Sequence, residues 1–261
     1  VDFDITNKNI SNEFEKFSGI AIAPGFVASN SEGIPTTLGR GGSDYTAAIY
    51  AAALDAEALE IWTDVTGFMT ADPRVIRKAY TIDYLTYAEA MELSHFGAKV
   101  IYPLTMQPAL DAKIPILIKN TFNPDAHGTI VSFEKPKQRA EVTGISSISN
   151  IALFRVQGSG MVGIAGIASR LFSSLARRQI SIILISQASS EHSICFAVSP
   201  KCADVAKETI EEEFALELKA RYIDPVNVET NMAVVAAVGE NMAKTPGIAG
   251  KLFQALGKNG I

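Results

Sequence analysis

The sequence lacks most features that would announce a function at once. No apolar run approaches the ~20 residues that span a bilayer, and the chain does not open on a charged segment followed by an apolar one. Neither a membrane helix nor a secretory leader is expected, and the cytoplasm is the expected compartment. Cysteine is limited to Cys195 and Cys202. With only two of them in a chain this large and no four-ligand set of Cys and His around them, they are read as neither a disulfide framework nor a zinc site, and are expected to be buried, reduced thiols. Histidine occurs three times, at His95, His127 and His192, always singly, so each is read as structural and no metal site is expected. A basic excess is also missing: 23 Lys+Arg stand against 28 Asp+Glu, a net charge of -5, with no field to concentrate nucleic acid. Neither G-x-x-x-x-G-K-[ST] nor the glycine-rich loop of protein kinases is present, which excludes those two phosphate-binding devices from this stretch.

What the chain does contain is enough apolar material, 48% of 261 residues, to fill two domains. It also contains an internal repeat. Residues 151–180 align without gaps on residues 232–261, an offset of 81, with identities at Ala152/Ala233, Gly158/Gly239, Met161/Met242, Gly166/Gly247, Ile167/Ile248, Leu171/Leu252, Phe172/Phe253 and Leu175/Leu256. Each copy reads as a short apolar strand, a glycine-containing turn and a helix with apolar residues at helical spacing. The first copy continues with strands over 181–186 and 193–198 and a helix over about 203–218. The order strand, helix, strand, strand, helix predicts an α+β sandwich with an antiparallel sheet. Its closing strand is either residues 226–229 or a strand outside the chain. The second copy stops where its second strand is due. Val1 at the start and Ile261 at the end of a helical pattern are therefore read as the cut ends of a longer polypeptide.

Before about residue 140 the pattern changes. Strand-like runs at 18–23, 60–63 and 114–118 alternate with helix-like runs at 45–56 and 87–96, as in an α/β layer structure with helices on both faces of its sheet. The charged, proline-containing stretch 134–141 is the expected boundary. This divides the chain into residues 1–140, 141–230 and 231–261.

The stretch Thr36-Thr37-Leu38-Gly39-Arg40-Gly41-Gly42-Ser43-Asp44, followed at once by an alanine-rich helix, carries the densest chemistry. Glycines let backbone N–H groups approach an anion, and a helix N-terminus adds partial positive charge. Arg40 offers a planar fork suited to a carboxylate, while Ser43 and Asp44 could order an ammonium group or the charges around a transferring phosphoryl. The same residues also fit a plain glycine turn with Ser43 as N-cap and Asp44 in the first helical turn. Thr63 and Asp64 end an apolar run, the place where ligands gather in α/β sheets, or else form an ordinary turn. Arg74 and Lys99 are possible phosphate cations, or solvated surface residues.

Together the stretches TTLGRGGSDYTAA, EIWTDVTGFMTADPRV, YAEAMELSHFGAKVIYP and IKNTFNPDAHGTIV resemble the aspartate kinases of the amino acid kinase family, in order and spacing. The tail, with GSGMVGIAGIASRLFSSLARRQISIILISQASSEHSICFAV and EEEFALELK, is similar to the regulatory region of the bifunctional aspartokinase–homoserine dehydrogenases, built from ACT modules. The resemblance implies the C-terminal part of an amino acid kinase sheet sandwiched by helices, followed by ACT modules of βαββαβ type. It implies transfer of phosphate from ATP to L-aspartate, with Mg2+ held mainly by the nucleotide phosphates. Arg40 and Asp44 fall on the family's aspartate-binding arginine and acidic residue, and Ser43 at the substrate and phosphate junction. Asp44 is the expected catalytic residue. Gly41, Gly42, Ser43, Thr63, Asp64, Arg74 and Lys99 fall at nucleotide-binding positions, with Met69 where relatives often carry Tyr. The family's N-terminal lysine and glycine-rich segment finds no counterpart here, so the chain alone is expected to be inactive. ACT modules imply a homo-oligomer and an amino-acid effector. The loop 157–162 is expected to face the strand end 185–190, with backbone near Gly158, Gly160 and Met161 receiving the effector's ammonium and carboxylate. Gln187 suits a hydroxyl side chain, and Ile183 stands where a lysine-sensitive relative could place a carboxylate, so threonine is the expected effector. Alternatively Gln187 only satisfies the loop backbone.

Overall fold

The computed structural model describes residues 1–97, 100–133, 140–187 and 192–261. They form two compact units, residues 1–146 with 235–261, and residues 147–234. The expected boundary at 134–141 falls largely on residues 134–139, which lie outside the described residues. Compactness places the division at 146/147, and groups residues 235–261 with the first unit instead of setting 231–261 apart. Among the described residues no helix is long and apolar enough to cross a membrane.

The first unit opens with helix α1 (Phe3–Phe14), started by Asp2, whose carboxylate accepts the Ile5 N–H at 3.1 Å. A hairpin of β1 (Val27–Ser29) and β2 (Pro35–Thr37) leads into α2 (Gly42–Ala53). There follow β3 (Leu59–Thr63), β4 (Tyr84–Thr86), α3 (Tyr87–His95), a 3-10 turn (Pro103–Met106), α4 (Gln107–Asp111), β5 (Ile116–Asn120) and β6 (Thr129–Ser132). The sheet runs β3-β5-β6-β4, with β3 parallel to β5, β4 parallel to β6, and β5 antiparallel to β6. Strand alternation sends Leu59, Ile61, Ile116, Ile118 and Val131 into one core with Ala48 and Ala51 of α2, Leu93 of α3 and Met106. On the opposite face of β3, Trp62 donates to Glu60 at 3.0 Å, Lys119 pairs with Glu60 at 3.1 Å and its ammonium lies 5.0 Å from the Trp62 ring centre.

The strand expected at 18–23 is not formed. Those residues take no regular secondary structure, and Ile20 and Ile22 are 93% and 96% exposed. An apolar run becomes a strand only when another strand satisfies its backbone, and β-propensity alone does not supply the partner.

The second unit takes in most of β7 (Gly144–Gln157), then α5 (Ile167–Arg177), β8 (Ile182–Gln187), β9 (Ser193–Val198), α6 (Ala203–Glu213) and α7 (Ala215–Lys219), and most of β10 (Asn227–Val238); residues 144–146 and 235–238 of the two long strands belong to the first unit. Its sheet order is β10-β7-β9-β8, with β9 antiparallel to both β7 and β8. The strand beside β7 is β10, which begins within the expected stretch 226–229. Phe154 and Phe196 stack with ring centres 5.0 Å apart, and Leu171, Leu175, Ile210 and Phe214 complete the core. The single helix expected at 203–218 is broken between α6 and α7 at Phe214, which leaves the helical conformation (φ -108°, ψ 25°) with its side chain fully buried. Cys195 and Cys202 are free thiols, but half-buried rather than buried. Cys195 alternates away from the apolar face of β9 that carries Ile194 and Phe196.

The repeat is realised in the backbone. Helix α8 (Ile248–Lys258) begins and ends 81 residues after α5, and the 3-10 turns Ser159–Met161 and Glu240–Lys244 begin at the same offset. Left-handed backbone recurs at equivalent positions: Asn150 and Asn231 (φ 55° and 57°), Gly166 and Gly247 (91° and 89°), Gln179 and Gly260 (57° and 77°).

Candidate functional site

The loop between β2 and α2 collects Arg40, Gly41, Gly42, Ser43 and Asp44 at one end of a helix. Gly39 and Gly41 both take left-handed backbone (φ 73° and 70°), and Gly41 is the N-cap of α2 with no side-chain hydrogen bond to the helix. Ser43 is therefore the second residue of the helix and not its cap, so the plain-turn reading does not hold as stated. Gly41 is required by space as well as by φ: a Cβ there would stand 2.9 Å from Tyr102 Cβ and 3.0 Å from Thr105 Cγ2. At Gly42 a Cβ would meet the Phe26 ring at 2.7 Å. The loop is pinned from behind. Leu38 N–H donates to the Phe26 carbonyl at 3.0 Å, Phe26 N–H donates to Thr46 Oγ1 at 3.0 Å, and Thr46 Oγ1 donates to the Gly42 carbonyl at 2.8 Å.

In front, the loop is open. Arg40 is exposed, with its guanidinium carbon 6.0 Å from the Tyr102 ring centre and, among the described residues, no ion pair. Asp44 is half-buried, accepts no hydrogen bond from a described residue, and burial raises its carboxyl above the ordinary value. An unpaired cation, an under-compensated carboxylate and an uncapped helix N-terminus thus meet at one place, an arrangement suited to a ligand carrying both signs of charge.

The other predicted residues are distributed differently. Thr63 and Asp64 stand at the C-terminal end of β3, hydrogen-bonded to each other at 3.2 Å. Met69 is half-buried in an isolated antiparallel bridge with Thr81. Arg74 is not a free phosphate cation: its Nη2 binds Asp72 at 2.7 Å and its Nε lies 3.0 and 3.2 Å from the two carboxylate oxygens. The Arg74 guanidinium holds the Asp72 carboxyl below its ordinary value. Lys99 lies outside the described residues. Among the described residues no hydrogen bond or ion pair joins Thr63, Asp64 or Arg74 to the loop 38–44. Sequence reasoning missed Tyr102, Thr105 and Thr46, which shape that loop. Only the helical spacing of Thr46 from Gly42 carried a signal.

In the second unit, Met161 and Gln187 line a hollow of about 310 Å³ together with residues 163–168 and Ile194. Gly158 and Gly160 do not. Their N–H groups are committed to the His192 carbonyl (3.1 Å) and the Tyr222 carbonyl (2.9 Å), and the Met161 N–H to the Gly158 carbonyl (3.1 Å). Added Cβ atoms at the two glycines would lie 2.2 Å from the Tyr222 carbonyl oxygen and 2.4 Å from Tyr222 Cβ. These three N–H groups are thus already bonded within the chain, and the two glycines admit the segment around Tyr222. Of the strand end expected to face them, residues 188–191 lie outside the described residues.

Residues 1–120 match the amino acid kinase family, and residues 154–214 match an ACT domain. A bifunctional aspartokinase/homoserine dehydrogenase of Haemophilus influenzae is 46% identical over 242 residues, covering 93% of this chain and 30% of the relative. The chain thus spans about 30% of the length of the first curated relatives it matches. Among solved structures, an aspartate kinase of Clostridium acetobutylicum superposes with a TM-score of 0.86 at 33% identity, over 98% of this chain and 58% of the other. Aspartokinase III of E. coli in complex with aspartate and ADP superposes with a TM-score of 0.76, also at 33% identity, over 97% and 55% of the two chains. The chain therefore combines an amino acid kinase family segment with an ACT domain, and along nearly its whole length it is similar to aspartate kinases.

Proposed function

We propose that the chain supplies the aspartate-binding side of an aspartate kinase, which transfers the γ-phosphoryl group of ATP to the side-chain carboxylate of L-aspartate. The products are 4-phospho-L-aspartate and ADP, the first step of the aspartate pathway to threonine, methionine and lysine. The observation that carries this reading is the open loop 38–44, with Arg40 unpaired and Asp44 short of donors. The E. coli relative solved with aspartate and ADP supports the choice of ligands.

In this reading Arg40 takes the α-carboxylate in a bidentate pair, and Asp44 draws the ammonium group, so the substrate is oriented with its side-chain carboxylate toward the phosphoryl donor. A carboxylate oxygen attacks the γ-phosphorus, the bond to the β,γ-bridging oxygen breaks, and ADP leaves. The N-terminus of α2 and the Ser43 hydroxyl favour the negative charge that develops there. Gly41, Gly42, Thr63, Asp64, Met69 and Lys99 are proposed to face the nucleotide. Arg74 joins them only after release from Asp72. Among the described residues no group of three or more acidic, His or Cys side chains could hold a metal. One half-buried carboxylate, Asp44, fits a Mg2+ carried chiefly by nucleotide phosphates, whose charge the ion offsets when bound.

Residues 141–230 are proposed as the first ACT module, 231–261 as the start of a second, and L-threonine as the effector in the hollow beside Gln187. The proposed parent enzyme also carries homoserine dehydrogenase activity, and the chain alone turns over far more slowly, because no stretch of it matches the phosphate-contacting lysine and glycine segment. The deciding experiment is an aspartyl hydroxamate assay of the full-length enzyme with Arg40→Ala. The aspartate KM is expected to rise by an order of magnitude or more for loss of a charge-assisted pair. An unchanged KM sinks the assignment. Inhibition by lysine and not by threonine, or a threonine response untouched by Gln187→Ala, removes the effector reading.

A further inference from the structure

Beyond the loop itself, the first unit contains a buried carboxylate that the proposed reaction does not use. Glu89, 3% exposed, lies in the first turn of α3. One oxygen, Oε2, accepts the Thr86 N–H at 3.1 Å, completing a capping box in which Thr86 Oγ1 accepts the Glu89 N–H at 3.2 Å. That accounts for half of the side chain. The other oxygen, Oε1, accepts the Thr143 hydroxyl at 3.0 Å and the Glu240 backbone N–H at 3.1 Å, the latter from a residue 151 positions away.

Glu240 begins the 3-10 turn that follows β10 in the second copy of the repeat. The contact around it is close. Thr143 N–H donates to the Val238 carbonyl at 2.7 Å, a Cβ on Gly239 would stand 2.5 Å from the Glu141 carbonyl oxygen, and Lys251 pairs with Glu141 at 2.9 Å. From Glu89 the path continues through packed elements. Helix α3 rests against the 3-10 turn Pro103–Met106, Leu93 and Met106 share one core, and Tyr102 and Thr105 press on Gly41.

We propose that Glu89 is a positioning residue that fastens the end of β10 to the start of α3, so that the seating of the second repeat sets the packing behind the Arg40 loop. A cap needs only one carboxylate oxygen. The second oxygen, buried and saturated by donors from two distant segments, is not explained by helix capping and is explained by this junction. The functional consequence rests on the reading of loop 38–44 as the aspartate site. The junction itself does not.

The test is amide hydrogen exchange on the full 261-residue chain without ligand, comparing wild type with Thr143→Val, Thr143→Ser and Glu89→Gln. Thr143→Val removes one donor while conserving volume, and Thr143→Ser restores the hydroxyl. The expected result for Thr143→Val is exchange at least about tenfold faster, not only at 141–145 and 239–242 but throughout α3 and residues 102–107, with the serine variant close to wild type. Glu89→Gln is expected to give the same pattern, since an amide leaves one of the two sides without its acceptor, and it decides the matter should Thr143→Val fail to fold. Changes confined to 141–145 and 239–242, or a serine variant as damaged as the valine, overturn the proposal. Aspartate titration of the same samples is a separate readout: wild type that takes up no aspartate removes the loop reading, while the exchange pattern still judges the junction.

Discussion

The two copies of the repeat share much of their backbone conformation but not their surroundings. In the first, α5 buries Ile167, Leu171, Ser174 and Leu175, whereas α8 buries nothing, and its Leu252 and Phe253 are 40% and 68% exposed. Yet the helix limits, the start of the preceding 3-10 turn and three left-handed positions recur at the same offset. Local sequence thus sets the conformation, through the glycine and asparagine positions and the helical spacing, while burial depends on which other segments are available to cover the face. The same contrast holds for the cation at equivalent positions. Arg170 binds Glu213 and Glu217 and sits 4.6 Å from the Phe214 ring centre, whereas Lys251 has a single exposed pair with Glu141.

The equivalent leucines separate burial from local conformation most directly. Leu171→Ala should cost about 2–5 kcal/mol in chemical denaturation, as core truncations do, and Leu252→Ala less than about 1 kcal/mol. Equal losses would mean that α8 is covered as well as α5. A smaller effect is expected at the equivalent glycines. Gly166→Ala and Gly247→Ala both force a Cβ into left-handed backbone with open space around it, so each should cost about 1–2 kcal/mol, and by similar amounts. A large difference between them would show that burial and not local geometry sets that turn.

Next come the cations. Arg170→Ala should lose about 1–2 kcal/mol, discounted for its partial exposure, and Lys251→Ala close to nothing measurable. The smallest expected effect is the acid dependence. Hydrogen bonds from Arg170 hold the Glu213 and Glu217 carboxyls below the ordinary 4.5. Depressed folded-state values mean stability that is present above pH 4.5 and lost as the pH falls through those values. Removing Arg170 should flatten the stability profile below pH 4.5, and an unaltered profile would assign the acid loss to other carboxylates.

What the sequence made legible follows the same division. The repeat, β3, β9, α2 and α3 could be read because each carries its own periodicity, and the loop 38–44 because glycines and a cation stand together before a helix. Four features depended on contacts that residue periodicity does not encode. Residues 18–23 looked like a strand, but a strand is a property of pairing. Ser43 looked like a cap until Gly41 took that position. Arg74 looked free because nothing in its spacing says that Asp72 turns back onto it. Gly158 and Gly160 looked like ligand-facing glycines, and only the fold shows Tyr222 against them. The role of Glu89 was hidden for the same reason: its cap is local, but its second oxygen is filled from residues 143 and 240.

The uncovered segment at 18–23 has a practical consequence for handling the protein. It is uncharged, free of proline and carries two nearly fully exposed isoleucines. Backbone that pairs with no other described residue is open to pairing with the same segment of another molecule, the first step of β-type aggregation. Solutions of this chain should therefore cloud at high concentration and on warming, and a lysine in place of Ile20 or Ile22 should delay that clouding without altering the fold's melting behaviour.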